Sequence, residues 1–108
     1  MRINDILACF NKVLISEGEE FNTTGHFVAH TSIERLIGQI KKCSISIYYI
    51  NNENNIKICE HSIIDRYSEE DKESLIEKTS LEALTLFLSY WEDKSFKKRI
   101  IENEYTNK

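Results

Sequence analysis

The chain has 108 residues, of which 41% are hydrophobic and 30% are charged, and its formal net charge is −4. These values predict one soluble domain over residues 1–108, large enough to bury a core. They exclude a membrane-spanning helix, because no apolar run approaches the roughly 20 residues that a span needs, and negative charge argues against a nucleic-acid partner.

The N-terminal residues do not have the pattern of a signal peptide. Asp5 lies near their start, and Asn11 and Lys12 interrupt the apolar stretch. Three cysteines at wide spacing are typical of reduced thiols rather than of a disulfide framework. We therefore expect a cytoplasmic protein without a membrane partner.

Two amphipathic helices are predicted in the first 42 residues. The first has apolar residues at three- and four-residue steps, with Asn4 as its N-cap and Gly18 as its end. The second is predicted over about residues 32–42, opened by a capping box of Thr31 and Glu34. Its apolar positions are Ala29, Ile33, Leu36, Ile37 and Ile40. Residues 26–30 fit either an extra helical turn or a short strand.

A β-hairpin is predicted next, in the stretch ISIYYINNENNIKI at residues 45–58. Apolar residues alternate on both sides of an asparagine-rich turn, which is typical of two strands with one buried face. A four-residue loop at 52–55 would set Tyr49 opposite Ile58, whereas a five-residue loop would scatter the apolar residues over both faces. The residues expected on the buried face are Ile45, Ile47, Tyr49, Ile56 and Ile58.

Two to three helices are predicted in the last third. Ser68 is placed to cap the first, and Thr79 with Glu82 forms a capping box for a second that runs to about residue 93. The apolar stripe of that second helix is expected to be Leu81, Leu84, Leu88 and Trp91, with Leu86 and Phe87 extending the apolar surface round it. A final helix is predicted over 95–104. Together the elements predict an α+β fold with two N-terminal helices, a central hairpin that residues 26–30 could extend by a third strand, and C-terminal helices.

Few residues are arranged for catalysis or metal binding. Glycine spacing excludes phosphate-binding loops, and no CxxC pair is present. His26 and His30 would share a helix face but lack a third ligand, and Cys59 with His61 lacks an orienting group. We therefore expect neither an enzyme nor a cofactor or metal.

An acidic cluster is the most informative feature of the sequence. It consists of Asp65, Glu69, Glu70, Asp71, Glu73 and Glu77, diluted only by Arg66 and Lys72. A helix N-terminus accounts for the first carboxylates, but Glu73 and Glu77 lie one turn apart and repel each other. The cluster is either a plain solvated face or a docking surface for a basic protein. The basic run at residues 94–99 is interpreted as a solvated helix face.

The chain resembles the immunity proteins of bacterial contact-dependent inhibition and polymorphic toxin systems in its size, acidity and cytosolic character. The resemblance implies a non-enzymatic protein that neutralises a cognate toxin domain of nuclease type, which would be basic because it binds phosphate. It carries no shared motif and assigns no residue. The alternative is a regulatory or adaptor domain that forms a homodimer through the apolar surface of residues 81–91.

Overall fold

The computed structural model describes the backbone of residues 2–16, 25–51 and 54–106, and the side chains of residues 2–13, 25–51 and 55–100. In chain order the elements are helix α1 (Ile3–Ser16), strands β1 (His26–Leu36), β2 (Gln39–Asn51) and β3 (Asn54–Tyr67), a 3₁₀ turn (Glu69–Asp71), and helices α2 (Lys72–Glu92) and α3 (Ser95–Thr106). The strands form one antiparallel sheet in the order β1-β2-β3. The fold is therefore of the α+β class, as the sequence predicts.

The second predicted helix, residues 32–42, is wrong. These residues form the end of β1, a tight turn and the start of β2. The turn centres on Ile37 and Gly38, whose φ angles of 50° and 74° have the sign that a type I′ hairpin turn requires. Helical spacing was misleading because Ile40 is buried while Leu36 and Ile37 are exposed at the turn. Residues 26–30 are strand, which confirms the third strand left open by the sequence.

The predicted hairpin of β2 and β3 is present, but its register differs from the prediction. Tyr49 pairs with Ile56 rather than with Ile58, and Asn51 pairs with Asn54. Loops of two and four residues preserve the same alternation, so burial of one face does not distinguish them. A bulge at Ile58 keeps it on the buried side, and all five residues expected on that face are buried. Residues 52–53 of the loop lie outside the described residues.

Helix α1 covers the outer edge of β1. Ile3 and Leu7 are buried, but Asn4 lies inside the helix and does not cap it. Its Oδ1 atom accepts a hydrogen bond of 2.8 Å from the backbone N–H of Ala29. Asn11 accepts from the N–H of Phe27 at 2.7 Å and donates to its carbonyl at 3.2 Å. The two asparagines thus satisfy backbone groups of an edge strand that would otherwise be unpaired. The predicted end at Gly18 lies outside the described residues.

Helix α2 is one continuous helix where the sequence predicted two. Thr79 and Ser80, expected at a helix start, lie in its interior, and their hydroxyls donate to the carbonyls of Leu75 and Ile76 at 2.7 Å. This bond to the preceding turn lets such residues remain in a helix interior. The buried residues of α2 are Leu75, Thr79, Ser80, Ala83, Leu84 and Phe87. The predicted stripe is therefore wrong at Leu81 and Leu88, which are 51% and 40% exposed.

Aromatic side chains from four elements meet at the centre of the main core. Phe87 of α2 lies 5.1 Å from both Phe10 of α1 and Phe27 of β1, in edge-to-face geometry. Trp91 of α2 stacks on Phe96 of α3 at 4.9 Å. Each such pair contributes roughly 0.5–1.5 kcal/mol beyond its buried area. This cluster fixes the three helices on one face of the sheet.

Candidate functional site: the acidic segment

The acidic segment, residues 65–77, spans the end of β3, the 3₁₀ turn and the first turns of α2. All six predicted carboxylates on it are exposed: Asp65, Glu69, Glu70, Asp71, Glu73 and Glu77. The fold thus brings them into one solvent-facing strip at the end of the sheet. None of them is buried in an ion pair.

A small core cluster anchors this strip. Ile40 and Cys43 of β2 are fully buried against Leu75 of α2, with Tyr67 of β3 packed beside them. Tyr67 pairs with Ile40, at the last position of the β2–β3 ladder. Because β3 and α2 are both fixed here, the turn between them is held against the sheet.

Within the part of the chain that the structure describes, Glu69 is the one member of the segment that forms an ion pair. Its carboxylate accepts hydrogen bonds from Nε and Nη2 of Arg35 on β1. These bonds hold the pKa of the Glu69 carboxyl below its ordinary value. Both side chains are exposed, so the pair contributes little to stability. It ties β1 to the 3₁₀ turn across the end of the sheet.

Two further carboxylates have local roles. Asp71 accepts a hydrogen bond of 3.0 Å from the hydroxyl of Ser68. Ser68 precedes the turn but makes no side-chain bond to its backbone, so the cap predicted from its side chain does not form. Asp65 accepts from the backbone N–H of Arg66 at 2.8 Å. These contacts shape the chain between β3 and α2.

Glu70, Glu73 and Glu77 have no hydrogen bond or ion pair within the described residues. Glu70 lies in the 3₁₀ turn, and Glu73 and Glu77 follow one turn apart on α2. Leu75 and Thr79 of the same helix face the core. Glu73 and Glu77 repel each other mildly, and the three carboxylates gain nothing from the described part of the fold beyond the dipole at the helix start.

Cys59 and His61 do not form a nucleophilic pair. Both lie on the helix-facing side of β3, but the Cys59 thiol is buried, with Sγ 4.0 Å from the carbonyl oxygen of Ala83. Burial raises the pKa of this thiol to about 11, whereas a catalytic cysteine needs a lowered pKa. His61 instead contacts the carboxylate of Glu82 on α2 through Nε2. The contact between His61 and Glu82 therefore holds α2 against β3.

His26 and His30 lie on a strand rather than on the helix that a shared metal site would require. Four residues along a strand separate their backbones by about 13 Å, too far for one ion. Among the described residues, no group of three or more His, Cys, Asp or Glu side chains is placed to hold a metal.

The basic run at residues 94–99 begins at Lys94, just before α3, and continues along the first turns of that helix. Phe96 is buried in the core, and the guanidinium of Arg99 lies 4.9 Å from the ring centroid of Tyr90 while donating to its hydroxyl at 3.3 Å. Lys98 is exposed. This arrangement agrees with the interpretation of the run as a solvated helix face.

An apolar surface at the same end of the sheet was missed in the sequence. It consists of Leu36 and Ile37 at the turn between β1 and β2, and is called the apolar tip below. Their side chains are 56% and 94% exposed, and Ile64 on β3 is 71% exposed. The available signal was Gly38, because a glycine in mid-helix should have lowered the case for a helix over 32–42.

No protein-family model, no curated protein and no solved structure matches the chain. None of the helices that the structure describes is long and apolar enough to cross a membrane.

Proposed function

We propose that this chain is a non-enzymatic binding protein that docks a positively charged protein through the acidic segment. The observation that carries the proposal is the row formed by Glu70, Glu73 and Glu77, which is exposed and has no partner within the described residues. Charges of one sign on a binding surface raise the association rate with an oppositely charged partner and disfavour wrong partners. Folding accounts for the anchoring residues beneath them but does not require these three carboxylates.

The class of partner that fits best is a nuclease-type toxin domain, with this chain as its immunity protein. Proteins that cleave nucleic acid are basic because they bind phosphate, so an inhibitor that covers such a surface is acidic. The chain's small size and its resemblance to immunity proteins support the same class. The buried, high-pKa thiol of Cys59 removes the main candidate for a catalytic group.

The test compares the native chain with the variant Glu70→Lys/Glu73→Lys/Glu77→Lys. Each protein is immobilised, exposed to lysate of the source organism at low salt, and the retained proteins are identified by mass spectrometry. The native chain is expected to retain one basic protein, and the variant is expected to lose it. Co-expression with that protein should then protect cells from its toxicity.

A matched control distinguishes a local surface from overall charge. The variant Asp5→Lys/Glu34→Lys/Glu92→Lys changes the net charge equally, at exposed positions outside the acidic segment. It is expected to retain the partner. Loss of the partner in both variants, or in neither, would contradict docking through the acidic segment.

A second candidate function is a homodimeric adaptor. A groove of 270 Å³ lies between α1 and α2, lined by Ile6, Phe10, Leu81, Leu84, Thr85 and Leu88. Leu81 and Leu88 stand two turns apart and half exposed on its outer side, as residues of a helix–helix interface would. This candidate predicts that sedimentation shows a dimer and that Leu81→Glu/Leu88→Glu makes it a monomer. A native chain that stays monomeric over a wide range of concentration would exclude it.

A further inference from the structure

The apolar tip contains a residue that the fold does not explain. Ile37 has a φ of 50° at a turn position where Asn, Asp or Gly is preferred, because a β-branched side chain is strained at positive φ. Its side chain is 94% exposed, so no packing against the described residues offsets that strain. Strain retained without an internal contact points to a role outside the fold.

The tip is continuous with the acidic segment. Arg35, the residue before Leu36, makes the ion pair with Glu69. A hollow of 340 Å³ beside the turn is lined by Leu36, Ile37, Gln39, Ile40, Lys41 and Arg66, and Arg66 follows Asp65 in the chain. Ile64 lies one residue before Asp65, opposite Lys42 of β2. A partner seated on the acidic segment therefore meets the tip as well.

We infer that the apolar tip inserts into an apolar pocket of the same basic protein that the acidic segment docks. This inference rests on the proposed function and assigns its two surfaces different tasks. Carboxylates at the edge of an interface act mainly on the rate of encounter, whereas a side chain buried in a pocket acts mainly on dissociation. Ile37 is the anchor. Lys41 and Arg66 beside it repel a basic surface, so the partner can approach only from the side of the acidic segment.

A membrane is the weaker occupant for this tip. The two aliphatic side chains at the turn bury less apolar surface than one myristoyl chain, which by itself gives only marginal membrane binding. Lys41 and Arg66 beside the tip would attract anionic headgroups, whereas the carboxylates of the acidic segment would repel them, so charge does not add to this weak membrane affinity. A pocket on a basic protein satisfies both surfaces at once.

The first test places the photoreactive amino acid p-benzoylphenylalanine in the full chain, separately at positions 37, 73 and 89. Ser89 is exposed near the far end of α2 and serves as the control. Irradiation in cells of the source organism is expected to join positions 37 and 73 to the same basic protein, and position 89 to none. That protein must also be the one lost by the triple lysine variant.

Each other result has a defined meaning. An adduct from position 73 but not from position 37 overturns the tip inference and leaves the proposed function standing. Adducts from neither position contradict both. An adduct of position 37 with lipid, or with a second copy of this chain, overturns the inference in favour of that occupant.

The second test separates anchoring from folding. Ile37→Asn is expected to unfold at the same or a higher temperature, because Asn tolerates positive φ. It should dissociate from the purified partner about tenfold faster, with an unchanged association rate at low salt. Leu81→Gln, at an exposed leucine away from the tip, is the control and should dissociate at the native rate. Native dissociation of Ile37→Asn would overturn the inference.

Discussion

Several polar side chains of this molecule have roles that depend on contacts with residues far along the chain. Asparagine is typical of helix caps and turns, yet Asn4 and Asn11 lie within α1 and form hydrogen bonds with the backbone at the edge of β1. Thr79 has the sequence context of a helix start, yet it is fully buried in mid-helix. A short polar side chain can satisfy several kinds of backbone group, so local sequence does not determine which one it meets.

The pair between Arg35 and Glu69 makes a prediction about pH. The pKa of Glu69 is lowered in the folded state, so the ionised carboxyl stabilises the fold above its ordinary pKa of 4.5. That contribution is lost as the pH falls through the lowered value. Glu69→Gln should therefore be less stable than the native chain at neutral pH, and the difference should vanish in acid.

Urea unfolding at a series of pH values measures this difference. Glu77→Gln, whose carboxylate has no partner among the described residues, is the matched control and should show a smaller change. A stability difference for Glu69→Gln that is constant from neutral to acidic pH would show that the ion pair does not act through ionisation of Glu69.

At the scale of elements, the rotation of α2 decides which residues form the core. The sequence predicted an inward stripe through Leu88, whereas the structure turns Phe87 inward. Small residues explain the difference: Thr79, Ser80 and Ala83 allow the helix to approach the sheet closely, as the contact between Cys59 and the Ala83 carbonyl shows. Hydrophobicity alone favours leucine over alanine and threonine, so it selected the wrong side.

Two alanine substitutions at adjacent positions test this rotation. Phe87→Ala should lower the free energy of unfolding by about 3–5 kcal/mol, because it leaves a cavity among the core aromatic rings. Leu88→Ala should lower it by less than about 1 kcal/mol, because Leu88 is partly exposed. Denaturant titration of both variants gives the comparison. Similar losses for the two, or a larger loss for Leu88→Ala, would contradict the orientation of α2.

The elements also show where sequence patterns succeed. The apolar alternation at residues 45–58 predicts β2 and β3 and the buried face, because one-sided burial imposes a period of two. It does not give the register, because loops of two and four residues place the same residues on the buried face. The helix predicted over 32–42 is wrong because the apolar residues near the turn have helical spacing although Leu36 and Ile37 are exposed. Strand pairing joins residues as far apart as Ile40 and Tyr67, which a local period does not report.

At the scale of the whole molecule, one end of the sheet concentrates the features that folding does not explain. The carboxylates of the acidic segment could be identified from the sequence because charge is visible there. The apolar tip could not, because its exposure follows from a turn that the sequence pattern concealed. The structure brings the two together through the Arg35–Glu69 pair and the pairing of Ile40 with Tyr67. An acidic border beside an exposed apolar anchor is a common composition of a protein-binding surface.

The most direct test of docking through the acidic segment is the association rate with the captured basic protein as a function of ionic strength. The native rate is expected to fall steeply as salt rises, because added salt screens the charges and the Debye length is only about 8 Å at 0.15 M. The Glu70→Lys/Glu73→Lys/Glu77→Lys variant should associate about tenfold or more slowly at low salt and depend less on salt. Equal association rates for the native chain and this variant at low salt would contradict the account.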